Sequence, residues 1–132
     1  MNYKKFAEKY AAEIGGDFRD YDEEQSVIVI KLSDDRYQAV QGRIYNSEKY
    51  GREVVQLKST VCKKEDINDF AIVLEAASGY VHSSFILEDD FLRVEASAFM
   101  DSVNESRIKE MIQEAGNLAD EWEFKITGKD IY

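Results

Sequence analysis

Apolar residues recur at Tyr3, Phe6, Ala7, Tyr10, Ala11 and Ile14, three and four apart, which predicts an amphipathic helix from Asn2 to Ile14 stopped by Gly15-Gly16. The next segment, 17–24, is acidic and weakly patterned, so Phe18 and Tyr21 sit on a short strand or pin a loop. Ser26-Val27-Ile28-Val29-Ile30-Lys31 is a continuous β-branched run and reads as a central strand covered on both faces. Ser33-Asp34-Asp35 follows as a turn. From Tyr37 to Tyr45 apolar and polar residues roughly alternate, Asn46 to Gly51 supplies turn residues, and Val54 to Val61 resumes a strand with Val55, Leu57 and Val61 on one face. Tyr80 to Leu87 and Phe91 to Met100, joined through Glu88-Asp89-Asp90, read as a second hairpin with Leu92, Val94, Ala96, Ala98 and Met100 pointing one way. Ser102-Val103-Asn104-Glu105 matches a capping box. The stripe Ile108, Met111, Ile112, Ala115, Leu118, Ala119 and Trp122 then predicts a helix to Glu121 lying across the sheet. Phe124-Lys125-Ile126 and the tail to Tyr132 are expected to be extended.

The segment between the two hairpins has a different character. Phe70-Ala71-Ile72-Val73-Leu74 is five apolar residues in a row, within a helix expected to be capped by Asp66 and closed at Gly79. A half-buried helix needs one apolar stripe. Here Ile67, Phe70, Ala71 and Leu74 form one, while Ile72, Val73 and Ala76 form a second that a single sheet leaves uncovered. The surplus predicts an isologous homodimer with this helix or its neighbouring strand on the two-fold axis, the alternative being a helix buried deep in a monomer's core. Phe70, Val73 and Ala76 are the residues assigned to that surface. The overall order is helix, three or four strands, helix, two or three strands, helix. Hairpins separated by helices, without strand-helix-strand alternation, give an α+β class with a mainly antiparallel sheet. The first and third helices cover one face.

Composition narrows the function. At 132 residues the chain is expected to be one domain, residues 1–132, with a core that needs neither disulfides nor metals. A formal net charge of -10 argues against nucleic acid and anionic membrane surfaces as partners and leaves a neutral or basic polypeptide. Cys62 is the only cysteine, so no internal disulfide forms, and the cytoplasm is the expected compartment. No apolar run approaches the length of a membrane span, and the charged N-terminal stretch does not read as a signal peptide.

Candidate chemistry is thin. Asp17, Asp20, Asp22, Glu23 and Glu24 crowd one segment, but they lack the glycine and closing glutamate of a calcium loop and read as a solvated edge. Glu88-Asp89-Asp90 reads as turn chemistry that also discourages edge-to-edge pairing. His82 is the single histidine, placed on an alternating strand. A pair with Cys62 lacks any surrounding nucleophile motif. The glycines make no phosphate-cradling loop. Asn104-Glu105-Ser106 spells a glycosylation site but opens a helix. The aromatic residues, Trp122 among them, read as core and interface because no basic groove accompanies them. No catalytic, cofactor-binding or metal residue is assigned, and no enzymatic turnover is expected.

The order of elements resembles the class I chaperones of bacterial type III secretion and the YbjN-like proteins. It does so from Phe6-Ala7-Glu8-Lys9 in the opening helix, through Asp69-Phe70-Ala71-Ile72, to Ser102-Val103-Asn104-Glu105. The resemblance implies a homodimer, without cofactor, that holds an extended client segment along apolar patches and strand edges. Two other readings stand beside it. One is an acidic immunity-type inhibitor of a basic partner; the other is a small ligand-binding domain using His82, Cys62 or the acidic segment.

Overall fold

The computed structural model describes residues 1–33 and 35–128. Its elements run α1 (Tyr3–Glu13), β1 (Asp17–Asp20), β2 (Gln25–Ser33), β3 (Arg36–Ser47), β4 (Arg52–Lys63), α2 (Phe70–Ala76), β5 (Ser84–Glu88), β6 (Phe91–Phe99) and α3 (Glu105–Thr127). All strand pairs are antiparallel, and the sheet order is β1-β2-β3-β4-β6-β5. The α+β class and the grouping of four strands, a helix and two strands agree with the sequence pattern.

One face of the sheet carries α1 and α3. The predicted stripe of α1 is buried at Tyr3, Phe6, Ala7, Tyr10 and Ala11, where it meets Ile28, Ile30, Val40 and Leu57 of the sheet and Ile108, Met111 and Ile112 of α3. Asn2 caps α1 by accepting from the Lys5 backbone N–H at 3.1 Å. Gly15, at φ +71°, takes the left-handed conformation that ends the helix. A second cluster, at the other end of α3, joins Val61, Cys62, Ile67, Val73, Phe85, Leu92 and Val94 to Ala115, Leu118 and Ala119. Gly116 is what lets α3 settle, since a Cβ there would lie 2.4 Å from the Ile30 side chain.

Several expectations change. The central strand is covered by helices on one face only: Ser26, Ile28 and Ile30 are buried, while Val27 and Val29 face the open side half-buried. A β-branched run fits either situation, because cross-strand neighbours alone cover much of a valine. Phe18 lies on a short strand, and Tyr21 is exposed beyond its end. The 3₁₀ turn at Met100–Ser102 ends the alternation one residue before Met100. The cap of α3 is Asn104, whose Oδ1 accepts from the Arg107 N–H at 2.8 Å, and not Ser102. The Ser102 hydroxyl is instead held by Arg52 and Asp101, and a side chain engaged across the chain is not free to cap. The helix continues through Phe124, Lys125 and Ile126 to Thr127, closed by Gly128 at φ +70°. Those three residues are therefore helical and not extended; residues 129–132 of the expected tail, and Asp34 of the first turn, lie outside the described residues.

Two irregularities set the sheet's shape. The β3–β4 ladder runs from Gln41–Lys58 to Ser47–Arg52. Beyond it the buried Gln38 side chain donates to the Ser59 hydroxyl at 2.9 Å and the Thr60 carbonyl at 3.1 Å, satisfying groups the ladder no longer reaches. Between Thr60 and Cys62 the β4–β6 register slips by one residue. That bulge leaves Val61 and Cys62 both buried, although they are adjacent in sequence.

Candidate partner-binding surface

The apolar run on α2 folds into a helix of only seven residues. Its cap is Asp69, accepting from the Ala71 N–H at 2.9 Å; Asp66 closes a separate 3₁₀ turn before it. The inward stripe is Val73, Ala76 and Ala77, packed with Ile67 against the end of α3. Val73 is 3% exposed, whereas Ile72 is 55%, Leu74 63% and Phe70 39% exposed. Of the three residues assigned to a pairing surface, Val73 thus sits in the chain's own core, Ala76 is half-buried beside it, and Phe70 faces outward. The stripes divide differently from expectation because α2 is too short for Phe70 and Leu74 both to reach the core. The surplus itself is real: Phe70 and Leu74, one turn apart, leave an outward apolar ridge on one flank of α2, and Ile72 is exposed on the opposite flank.

Two more large apolar side chains are exposed further along the chain. Val81, after the 3₁₀ turn that follows α2, is 84% exposed, and Leu87 is exposed on β5, the last strand of the sheet. An outer strand presents unpaired backbone donors and acceptors. β5 is five residues long and shorter than expected, since residues 80–83 are held off the ladder by α3. The Glu114 carboxylate accepts from the backbone N–H groups of Val81 (3.3 Å) and His82 (2.9 Å), the Tyr80 hydroxyl donates to Glu121 (3.2 Å), and His82 Nε2 lies 3.1 Å from Glu110. Burial raises the Glu114 pKa, but the Ser83 hydroxyl and those two N–H groups outweigh it and leave the carboxyl below its ordinary value. Glu110, Glu114 and Glu121 were not singled out in sequence. Their spacing of four and seven is the one signal that places them on a common helix flank.

The chemical candidates separate. Cys62 is fully buried among apolar side chains, and burial first, then Asp66 and Glu123, push its thiol up to about 11. It is the inert kind of cysteine. His82 is engaged with Glu110, so the structure does not assemble a Cys-His pair. In the acidic segment, Asp20 pairs with Lys4 at 2.6 Å and Glu24 with Arg43 at 3.3 Å, while Asp22 Oδ1 accepts from the Glu24 and Gln25 N–H groups of its own turn. Among the described residues no group of three or more His, Cys, Asp or Glu side chains could hold a metal ion. The Glu88–Phe91 hairpin turns on Asp89 (φ 53°) and Asp90 (φ 66°), the two left-handed residues of a tight primed turn.

Among the described residues, no helix covers the sheet's other face. A shallow cavity of about 440 Å³ opens on it, lined by side chains that include Gln41, Gln56, Lys58 and Arg93 together with the carboxylates of Glu88 and Asp89. Lys58 Nζ binds Glu88 at 2.6 Å, and Arg93 Nη1 donates to the Thr60 hydroxyl at 2.8 Å. At the β3–β4 hairpin end a second cavity of about 380 Å³ is lined by Tyr45, Tyr50, Val54 and Phe99, with Arg107 among its walls. No helix among the described residues is long and apolar enough to cross a membrane.

No protein-family model matches the sequence, and no curated protein matches it either. Solved structures do match. ExsC in the ExsC–ExsE complex superposes with a TM-score of 0.65 at 12% identity, covering 94% of this chain and 92% of that one. The Yersinia pestis type III secretion chaperone SycH, solved with a fragment of YscM2, gives 0.57 at 10% identity over 89% and 97%. SchA in the HopA1–SchA chaperone–effector complex gives 0.56 at 14% identity over 96% and 94%. With near-complete coverage in both directions, this chain has the fold of the type III secretion chaperones.

Proposed function

We propose that this chain is a non-enzymatic, homodimeric, chaperone-like protein of the cytoplasm that holds an extended segment of a client polypeptide. The observation that carries this reading is the outward ridge of Phe70 and Leu74, one turn apart on a helix whose inner side is already packed, with Ile72 exposed on its other flank. Burying an aliphatic or aromatic side chain of this size is worth about 1.5–3 kcal/mol. A second copy meeting the first about a two-fold axis at α2 brings each ridge against its counterpart. The outer strands of the sheet then remain for a client, which gains main-chain hydrogen bonds there and places alternate side chains in surface pockets. The net charge of -10 per chain keeps the free protein soluble. That SycH was solved with a fragment of YscM2 and SchA in a chaperone–effector complex supports the client-holding part of the reading.

Sedimentation analysis tests it. The chain is expected to sediment as a dimer and Leu74→Glu as a folded monomer. Affinity capture in mild salt is expected to recover a dimer carrying one unfolded client segment. A wild-type monomer at high concentration removes the dimer, and a one-to-one complex with a folded basic protein replaces chaperoning with inhibition.

A further inference from the structure

Strand β6 is longer than the strand that covers it. It pairs with β4 from Phe91 through Phe99, but β5 reaches only from Glu88 opposite Phe91 to Ser84 opposite Glu95. Ala96 to Phe99 therefore have a ladder on one side alone, and among the described residues no other backbone hydrogen bond reaches them. In an antiparallel strand each residue aims its N–H and C=O to the same side, so every second residue of this stretch points a donor and an acceptor away from β4. Ser97 is exposed, and Ala98 and Phe99 are half-buried. The bare edge adjoins the cavity of about 380 Å³ on the open face, since Phe99, opposite Val54, shares that face with Tyr45, and Tyr50 meets its ring edge-on at 5.4 Å.

The chain's own residues show what the vacancy fits. Continuing the β5 register would set Ser83 opposite Ala96, His82 opposite Ser97, Val81 opposite Ala98 and Tyr80 opposite Phe99. Tyr80 would then lie beside Phe99 at the cavity, and the strand-like alternation of residues 80–87 would be satisfied in full. The α3 carboxylates prevent it. Glu114 takes the N–H groups of Val81 and His82 and the Ser83 hydroxyl, while Glu110 holds the His82 ring and Glu121 the Tyr80 hydroxyl. Hydrogen bonds to a carboxylate are stronger than the neutral ones a ladder offers. Val81 is left 84% exposed.

We infer that the vacant edge of β6 at Ala96–Phe99, with the adjoining cavity, seats an extended client strand that runs antiparallel to β6 and sets an aromatic side chain beside Phe99. The inference rests on the client-holding reading and names the client's conformation and pattern. That pattern is aromatic, aliphatic, polar, small, as in Tyr80-Val81-His82-Ser83. Backbone donors and acceptors without partners are matched by another backbone, so the occupant is a polypeptide strand. Its length is fixed by the walls: the start of β5 closes the vacancy at one end and the turn at Met100–Ser102 closes it at the other. Cross-strand neighbours on one face approach closely enough for an aromatic ring to meet Phe99 and enter the cavity. Glu110, Glu114 and Glu121 are positioning residues here, because by holding residues 80–83 aside they keep the chain from filling its own edge.

Amide hydrogen exchange and a peptide titration test it together. The probe is a nine-residue fluorescent peptide carrying Tyr-Val-His-Ser in a Gly/Ser background. In the free protein the amides of Ala96–Phe99 that face away from β4 are expected to exchange rapidly, and the peptide to slow them about tenfold. Replacing the peptide's tyrosine with serine is expected to weaken binding about tenfold. Of two peptides N-methylated at alternate residues, the one whose N–H groups facing β6 are blocked is expected to lose binding and the other to keep it. Glu114→Ala frees residues 80–83 to compete, so the same amides slow without peptide and peptide binding falls several-fold. Circular dichroism checks that this variant is folded, and the N-methylated pair tests the edge on the wild-type chain in any case. No binding, equal binding of the two N-methylated peptides, or amides already slow in the free chain overturns the inference. So does slowing that follows protein concentration without peptide, because the edge would then belong to a second copy. Amides that stay fast in folded Glu114→Ala remove the part given to the carboxylates. A dimer that captures clients while these amides stay fast removes only the edge, whereas peptide binding without any captured client removes the client-holding reading.

Discussion

Helices α2 and α3 are both rich in apolar residues, yet they use them in opposite ways. Over its 23 residues α3 turns a regular stripe inward and buries Ile108, Met111, Ile112, Ala115, Leu118 and Ala119. The seven-residue α2 buries Val73 alone and turns Phe70, Ile72 and Leu74 outward. Hydrophobicity in the first case is committed to one chain's stability. In the second it is left exposed on the surface. Length decides the difference, because a two-turn helix crossing the end of a sheet has one side to bury, whatever its composition.

The comparison is broken most forcefully from the α3 side. Ile112→Ala, at a fully buried position, is expected to lower stability by about 2–5 kcal/mol, measured by urea denaturation at low protein concentration. Ile72→Ser with Leu74→Ser is expected to change that unfolding midpoint hardly at all while weakening self-association by about 1.5–3 kcal/mol per copy's ridge, read by sedimentation across a dilution series. Should the pair of serines destabilise the monomer as much as Ile112→Ala, the ridge is internal packing and the contrast fails.

Smaller effects sharpen it. Glu114 ties the segment between α2 and β5 to α3, and Glu114→Gln is expected to cost about 1 kcal/mol. Because the folded carboxyl titrates below its ordinary 4.5, its contribution is complete above that value and is lost as pH falls through the folded pKa. Unfolding midpoints measured from pH 6 to pH 3 are therefore expected to fall less steeply for the glutamine variant. The smallest effect is at Arg52–Asp101, an ion pair on the surface. Asp101→Asn is expected to leave thermal unfolding unchanged at physiological salt.

Much of the fold was legible because its signals are local. The α1 stripe, the alternation of β4 and β6 and the apolar face of α3 each follow from residues within one element. What escaped depends on partners distant in sequence. Ser102 satisfies the spelling of a capping box, but Arg52, 50 residues away, holds its hydroxyl. The run Ser26 to Lys31 carries no mark of whether one face or two receive helices. Residues 80–83 alternate like a strand, and only the carboxylates of α3 show why they leave the ladder. Of the three residues assigned to the pairing surface, Phe70 is partly exposed. Val73 lies inward because the stripe is fixed by where α2 meets Ile67 and α3, a geometry that five consecutive apolar letters do not encode.

The sheet order carries a consequence for how the chain forms. Strands β1 to β4 are laid down in sequence, each beside its predecessor, so a nascent chain can zip them as a meander while still growing. Pairing of β6 with β4 is another matter, since it waits until α2 and the β5 strand have been made and the hairpin swings back past its own first arm. Until then the outer edge of β4 is bare and sticky. The late half of the molecule is thus its own first guest, received along the edge of a strand already laid down.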